Sequence, residues 1–436
     1  MALGGGTFTA QDKILPGTFI NFASKIQASI PYERGIVAVA MDLNWGKDNE
    51  IMEIEQDDFQ KNSKALLGYD YTSEELKLLR EMFLNAKKVY LYRLNKSGVK
   101  ASNEYAEALY AGTRGNDITI SISANVDEAD KFDVVTLLNN KIVDKQIVES
   151  VGDLKSNDYV SFKDTELTVN AGIPLSGGTN GTVGTIGEHQ SFLDKIESYS
   201  FNVLACNSNS EDIKQLYVEF TKRMRDEVGS KFQTVIHKIT NVDYEGVIVV
   251  ENICLAGNTH NLVFFTAGIT SACQINSSAT NATYTGELDI DTNYTQTQLE
   301  QLIEAGKFVY HKVGSDIRIL KDINSFVVVT DDKNDMFKNN KTIRIIDELA
   351  LDITILFDNK YLGKVPNNAD GRASLWSDII SLLNRYVNKG AISSYNAEEV
   401  TIEKGNSDVS VLINVPIVIT GTMEQLYMTV IMAKEA

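Results

Sequence analysis

At 436 residues, with 43% apolar and 23% charged side chains, the sequence has an ordinary globular composition and room for two to four domains, since single cores stop growing near ~250 residues. Its 41 basic against 59 acidic residues leave a net charge of −18, which opposes binding of the whole protein to nucleic acid or to an anionic membrane. Three widely spaced cysteines, Cys206, Cys254 and Cys273, with no CxxC pair, suggest neither a disulfide framework nor a zinc knuckle.

Residues 1–30 read as an arm. Gly4, Gly5 and Gly6 are followed by Pro16-Gly17 and the short apolar run TFINF (18–22), in which Phe19, Ile20 and Phe22 require cover that such a segment cannot supply to itself. The start MALGGGTFTAQDK lacks the basic residues and apolar core of a signal peptide. Residues 31–95 form an α/β element: the strand GIVAVAM (35–41), a helix opening at Thr72-Ser-Glu-Glu75 with Leu76, Leu79, Phe83 and Ala86 on one face, and the strand VYLYRL (89–94). Short strands then recur at roughly ten-residue spacing, predicting a small β-sandwich or barrel over 96–175. They are ITISI (118–122), FDVVTLL (132–138), KIVDKQIV (141–148), YVSF (159–162) and ELTV (166–169), with an Asn139-Asn140 turn joining the second to the third.

SGGTNGTVGTIG (176–187) reads as a flexible interdomain linker, because no Gly-Lys-Ser/Thr follows to make it a phosphate loop. Strands and helices alternate over 188–330: FNVLAC (201–206), a helix from Ser210 to Val228 stopped by Gly229, FQTVIHK (232–238), VIVV (247–250), helices near 261–275 and 297–305, FVYHKV (308–313) and SFVVVT (325–330). Such alternation predicts a largely parallel sheet covered on both faces.

Residues 331–422 predict an α+β domain with two amphipathic helices. One carries Ile343, Ile346, Leu349, Ile353 and Leu356; the other, 370–388, carries Leu375, Ile379, Leu382 and Tyr386 before Gly390. The strands EEVTIEK (398–404) and DVSVLINV (408–415) are too few for a comfortable sheet. Residues 423–436 hold one more, QLYMTVIM (425–432), which alternates Leu426, Met428, Val430 and Met432 against Tyr427, Thr429 and Ile431. A turn at Gly421-Thr422 would pair it with 407–421, yet one apolar edge would remain open, which soluble proteins usually blunt.

Catalytic chemistry is absent from the pattern. His189, His237, His260 and His311 are far apart and none lies in HExxH, GxSxG or a metal-spaced pair. Asp289-Ile-Asp291 lacks the glycine and bidentate glutamate of a calcium loop. No catalytic residue, cofactor site or metal site is assigned.

MALGGGTFTAQDKILPG at the start, AGTRGNDI (111–118), TIRIIDELALDI (342–353) and MEQLYMTVIM (423–432) together resemble the contractile tail sheath proteins of phages and phage-derived particles, in particular the short-sheath class of Gram-positive prophages and phage-tail-like bacteriocins. The resemblance implies a multidomain α+β chain whose middle domain has a subtilisin-like fold without a protease triad. It implies a structural subunit, not an enzyme, assembling in the host bacterial cytoplasm and residing in a virion or phage-tail-like particle after lysis. Its partners would be further copies of itself, as stacked hexameric rings in a helical sleeve, together with the tail tube, baseplate and tail terminator proteins. The arm around Phe19, Ile20 and Phe22 and the strand carrying Leu426, Tyr427, Met428, Val430 and Met432 would reach neighbouring subunits, and so complete the thin C-terminal sheet by strand addition. Gly17 and Gly421 would be the hinges. Asp378, Arg385 and Lys389 on the second C-terminal helix would face the tube; without the resemblance they read as a solvated helix face. Two other classes compete: a self-associating adhesion module of a surface array, and a degenerate hydrolase with polar groups converging in 188–330.

Overall fold

The computed structural model describes residues 34–432. The chain begins with β1 (Ile36–Met41), whose alternate side chains split between two cores: Val37, Val39 and Met41 go to one and Ala38 and Ala40 to the other. β2 (Ile51–Glu55) leads into α1 (Gln56–Leu67), then α2 (Lys77–Phe83) and β3 (Lys88–Arg93). The helix predicted to open at Thr72 starts instead at Lys77, after a short 3₁₀ turn over Glu74–Leu76. α1 has no counterpart among the predicted elements, because its buried positions Phe59, Ser63 and Leu67 recur every four residues but one of the three is polar, which weakens the apolar period.

The chain then leaves for a β domain: β4 (Ala106–Ala108), β5 (Ile118–Ala124), β6 (Phe132–Leu138), β7 (Lys141–Val148), β8 (Val160–Phe162) and β9 (Asn170–Pro174). Four strands make a sheet in the order β7-β6-β5-β9, and β4 pairs with β8 across a core that includes Ile118, Ile120, Ile122, Val134 and Val160. Asn139 and Asn140 both adopt positive φ, 51° and 60°, the geometry of the tight hairpin joining β6 to β7. The strand predicted over 166–169 begins later, at Asn170.

The glycine-rich stretch is not a flexible linker. Thr182, Thr179 and Ser176 form antiparallel bridges with Lys96, Val99 and Ser102, so the outgoing chain is zipped to the incoming one. Its glycines serve close approach: at Gly181, with φ +75°, a Cβ would lie 2.0 Å from the Lys96 carbonyl oxygen.

α3 (Ile186–Ile196), β10 (Val203–Ala205), α4 (Glu211–Lys222), β11 (Gln233–His237), β12 (Val247–Val250), α5 (Leu262–Ala272), α6 (Gln296–Glu304) and β13 (Lys307–Phe308) follow, with the hairpin β14 (Tyr310–Val313) and β15 (Asp316–Ile319). The predicted helix over 210–228 is α4 extended by a π-helical segment, Arg223–Val228, and ended by Gly229 at φ +91°. Residues 325–330 form no strand: the Val327 and Val328 amides donate to the Asp243 carboxylate and Val328 is exposed.

β13-β12-β11-β10-β1-β3-β2 is one sheet, parallel except for β2. The stretches 31–95 and 188–330, read separately in the sequence, are therefore halves of a single sheet joined at the β1–β10 pair, with the β domain inserted between them. Val- and Ile-rich strands buried on both faces account for this, α5 covering one side and α3 and α4 the other.

Three histidines sit inside this frame. Burial holds the imidazoles of His189, His237 and His260 down at about 4. An unfolded histidine protonates near pH ~6.5, so the stability they contribute is present above that value and is lost as pH falls towards 4. Each pKa unit is worth ~1.4 kcal/mol. Burial pushes the Glu81 and Glu348 carboxyls up, which offsets part of the loss. Urea midpoints are expected to fall between pH 7.5 and 5.5; a constant or rising midpoint would contradict neutral buried imidazoles.

Candidate assembly interface

The C-terminal domain opens with α7 (Asn340–Lys360), capped by the Asn339 side chain, which accepts from the Lys341 amide at 2.9 Å. Its first turns are sunk into the α/β domain through charges. Arg344 donates to Asp322 at 2.7 Å, with both side chains essentially buried. Asn340 bridges Asp322 and Gln233, each at 2.9 Å. Arg225 grips Asp347 through two bonds, 2.6 and 2.9 Å. Burial would raise Asp322, but the Arg344 guanidinium beside it holds the carboxyl below its usual range. Glu348 is pushed up by burial against the pull of Arg34 and Lys389.

α8 (Ala369–Asn388) packs Leu375, Ile379, Leu382, Leu383 and Tyr386 against Ile345 and Leu349 of α7. Beyond it come β16 (Ile392–Ser394), β17 (Thr401–Lys404), β18 (Val411–Asn414) and β19 (Val418–Ile419). They pair as two separate antiparallel ladders, β16 with β19 and β17 with β18. Each ladder has two strands, a size that is marginal without further pairing, and leaves backbone edges open.

The chain leaves the domain at Thr420. The Thr420 amide donates to the Ala391 carbonyl at 3.0 Å, and Lys341 Nζ donates to the Thr420 carbonyl at 2.7 Å. From 423 to 432 there is no ladder, and Met423, Leu426, Tyr427, Met428, Val430, Ile431 and Met432 are all exposed, Leu426 at 84%. The predicted turn at Gly421-Thr422 does not fold this segment onto 407–421: β19 pairs with β16 and β18 with β17, and residues 423–432 join neither ladder.

The site residues expected from the sequence are distributed unevenly. Phe19, Ile20, Phe22 and Gly17 lie outside the described residues. Leu426, Tyr427, Met428, Val430 and Met432 are together on the exposed tail. Gly421 lies at its base with open space around it. Asp378 and Arg385 are on α8 and Lys389 caps its C-terminal end, and all three reach α7 or its end: Asp378 accepts from Lys360 and Tyr361, Arg385 lies 3.9 Å from Asp352, and Lys389 lies 3.8 Å from Glu348. Sequence reasoning missed the junction of Arg225, Asp322, Arg344 and Asp347. Their charges are spread over 122 positions, with no local spacing to mark them.

Among the described residues no group of three or more His, Cys, Asp or Glu side chains could hold a metal ion, and no helix is long and apolar enough to cross a membrane.

Four family models match in succession: the Gp18 domain III N-terminal region over 34–94, the phage tail sheath beta-sandwich domain over 96–180, the phage tail sheath central domain over 183–325 and the phage tail sheath C-terminal domain over 332–433. The phage-like element PBSX protein XkdK of Bacillus subtilis (strain 168) is 31% identical over 98% of this chain and 99% of its own. The crystal structure of the sheath tail protein of Desulfitobacterium hafniense superposes with a TM-score of 0.81 at 34% identity, covering 94% of this chain and 98% of that one. That of Listeria innocua gives 0.78 at 30% identity, covering 90% and 93%. The chain therefore belongs to the phage tail sheath proteins, a non-enzymatic family, and is a structural subunit of a contractile tail sheath.

Proposed function

We propose that the subunit polymerises by giving residues 423–436 as a strand to the C-terminal domain of a neighbouring copy, and that residues 1–30 serve as a second such arm. The observation that carries this reading is the coexistence, in one domain, of open two-stranded ladders and an apolar, period-2 tail with no partner. Backbone pairing would give affinity and the alternating side chains would give register. A contact in which one surface of each copy meets a different surface of the next does not close into a dimer, and it propagates as an open helical polymer.

In this reading the polymer is a sleeve of stacked hexameric rings around a tail tube, ended by baseplate and terminator proteins. The subtilisin-like α/β body lacks a triad and acts as a rigid block. Contraction is rigid-body repacking out of a kinetically trapped extended state, which drives the tube through a cell envelope with the strand exchanges kept. The chain assembles in the bacterial cytoplasm and is released with the particle at lysis. Tube contacts of modest strength suit Asp378, Arg385 and Lys389, whose intramolecular pairs are partly exposed and exchangeable.

Negative-stain microscopy of the concentrated protein tests the reading. Tubes or stacked rings with a regular helical repeat are expected. A persistent monomer, even with tube protein added, would overturn it.

A further inference from the structure

Between 423 and 432, Glu424 is tied back onto the body of the subunit by a hydrogen bond and an ion pair, and Gln425 lies beside it in the same groove. Glu424 Oε1 accepts from Thr280 Oγ1 at 3.2 Å, and Glu424 Oε2 lies 3.8 Å from Lys321 Nζ. Its side chain is 22% exposed, whereas the preceding Met423 and the following Leu426 stand in solvent. The Thr280 hydroxyl is itself set: it accepts from the Asp322 amide at 3.0 Å and from Ser278 at 2.9 Å, so its proton is directed to Glu424. Asp322 is the buried partner of Arg344. The tail thus carries two tethers, Thr420 and Glu424, with Gly421 between them.

We propose that Glu424 is the positioning residue of the donated strand, held by Thr280 and Lys321 so that the chain pivots beyond Gln425 and not at Gly421. The proposal rests on the strand-donation reading. From a pivot at Gln425, the alternating residues 426–432 extend over about 23 Å, at ~3.3 Å per extended residue. It also removes conformational freedom before assembly, which lowers the entropy lost when the strand docks.

Two measurements test this. In the monomer, nitroxides on Leu426→Cys and Gln301→Cys, in a Cys273→Ser background, are expected to give a narrow distance distribution that broadens on Glu424→Ala. In assembly, Glu424→Ala is expected to raise the critical concentration for polymerisation about two- to fivefold, the range of one exposed ion pair, with an unchanged thermal midpoint. The exchanged pair Lys321→Glu with Glu424→Lys should recover most of the loss. Equal distance widths, or an unchanged or lower critical concentration, would overturn the proposal. A chain lacking residues 424–436 separates the two ideas. If it assembles normally, strand donation fails; if it does not assemble while Glu424→Ala does so at the wild-type concentration, only the positioning role fails.

Discussion

Deleting residues 424–436 is expected to leave a folded monomer that does not form sheath at any accessible concentration. Folding should survive because residues 424–432 form no ladder within their own subunit and are tied to its body through Glu424. Assembly should not survive. The deletion removes Leu426, Tyr427, Met428, Val430, Ile431 and Met432, all exposed in the subunit. Burying such side chains is worth roughly 1.5–3 kcal/mol each, so up to about 9–18 kcal/mol of gross burial disappears from each contact. Association has its own cost, estimated at about 4–15 kcal/mol, and the remaining contacts must then meet it without the strand. Sedimentation velocity should show a monomer with wild-type circular dichroism and thermal midpoint, and microscopy should show no tubes. Normal sheaths from the truncated chain would refute strand donation.

The second large effect is expected from Asp322→Ala. Asp322 is 1% exposed and receives Arg344, Asn340 and the Ala279 amide, so its loss strands a buried guanidinium and two buried donors together. Breaking a buried ion pair from one side costs about 3–5 kcal/mol. At ~2–4 °C per kcal/mol for a domain of this size, the thermal midpoint should drop by roughly 10 °C. Asp322→Asn, which keeps an acceptor but not the charge, should fall between the two. By contrast, replacing Arg225 and Asp347 together with apolar residues of similar volume should cost far less than either single change, because no charge is left unpaired. A loss below about 1 kcal/mol in Asp322→Ala would mean that α7 is not clamped to the sheet through this carboxylate.

These two expectations concern features of different legibility. The apolar face of Leu426, Met428, Val430 and Met432 is visible in eight residues of sequence, but that 425–432 does not pair with 407–421 is visible only in the structure. The stripe of α8 is plain in the sequence, and Leu375, Ile379, Leu382 and Tyr386 are buried as their spacing requires; on α7 Ile343 and Leu349 are buried, whereas Ile346, Ile353 and Leu356 are only half-buried. Glu424 had a weaker signal. It shares the parity of Leu426 and Met428, a charge at the head of an apolar face, but nothing local names Thr280 or Lys321 as its partners. Gly181 misled for a related reason. A glycine needed for flexibility and a glycine needed for close backbone approach look alike until the Lys96 carbonyl is placed beside it.

The sequence by itself determined the local elements whose periods are strong, the presence of a β domain between two α/β stretches, the lack of catalytic spacing and the family. Only the tertiary structure decided that β1–β3 and β10–β13 are one sheet, that the glycine-rich stretch is zipped to 96–102, and that the C-terminal domain is fastened by Arg225, Asp322, Arg344 and Asp347. The physical reason is range. Periodicity and capping act over a few residues and are written in neighbouring positions, whereas strand pairing and buried charge pairing join residues more than a hundred positions apart, such as Val37 with Val203 and Arg225 with Asp347, which become neighbours only when the chain is folded.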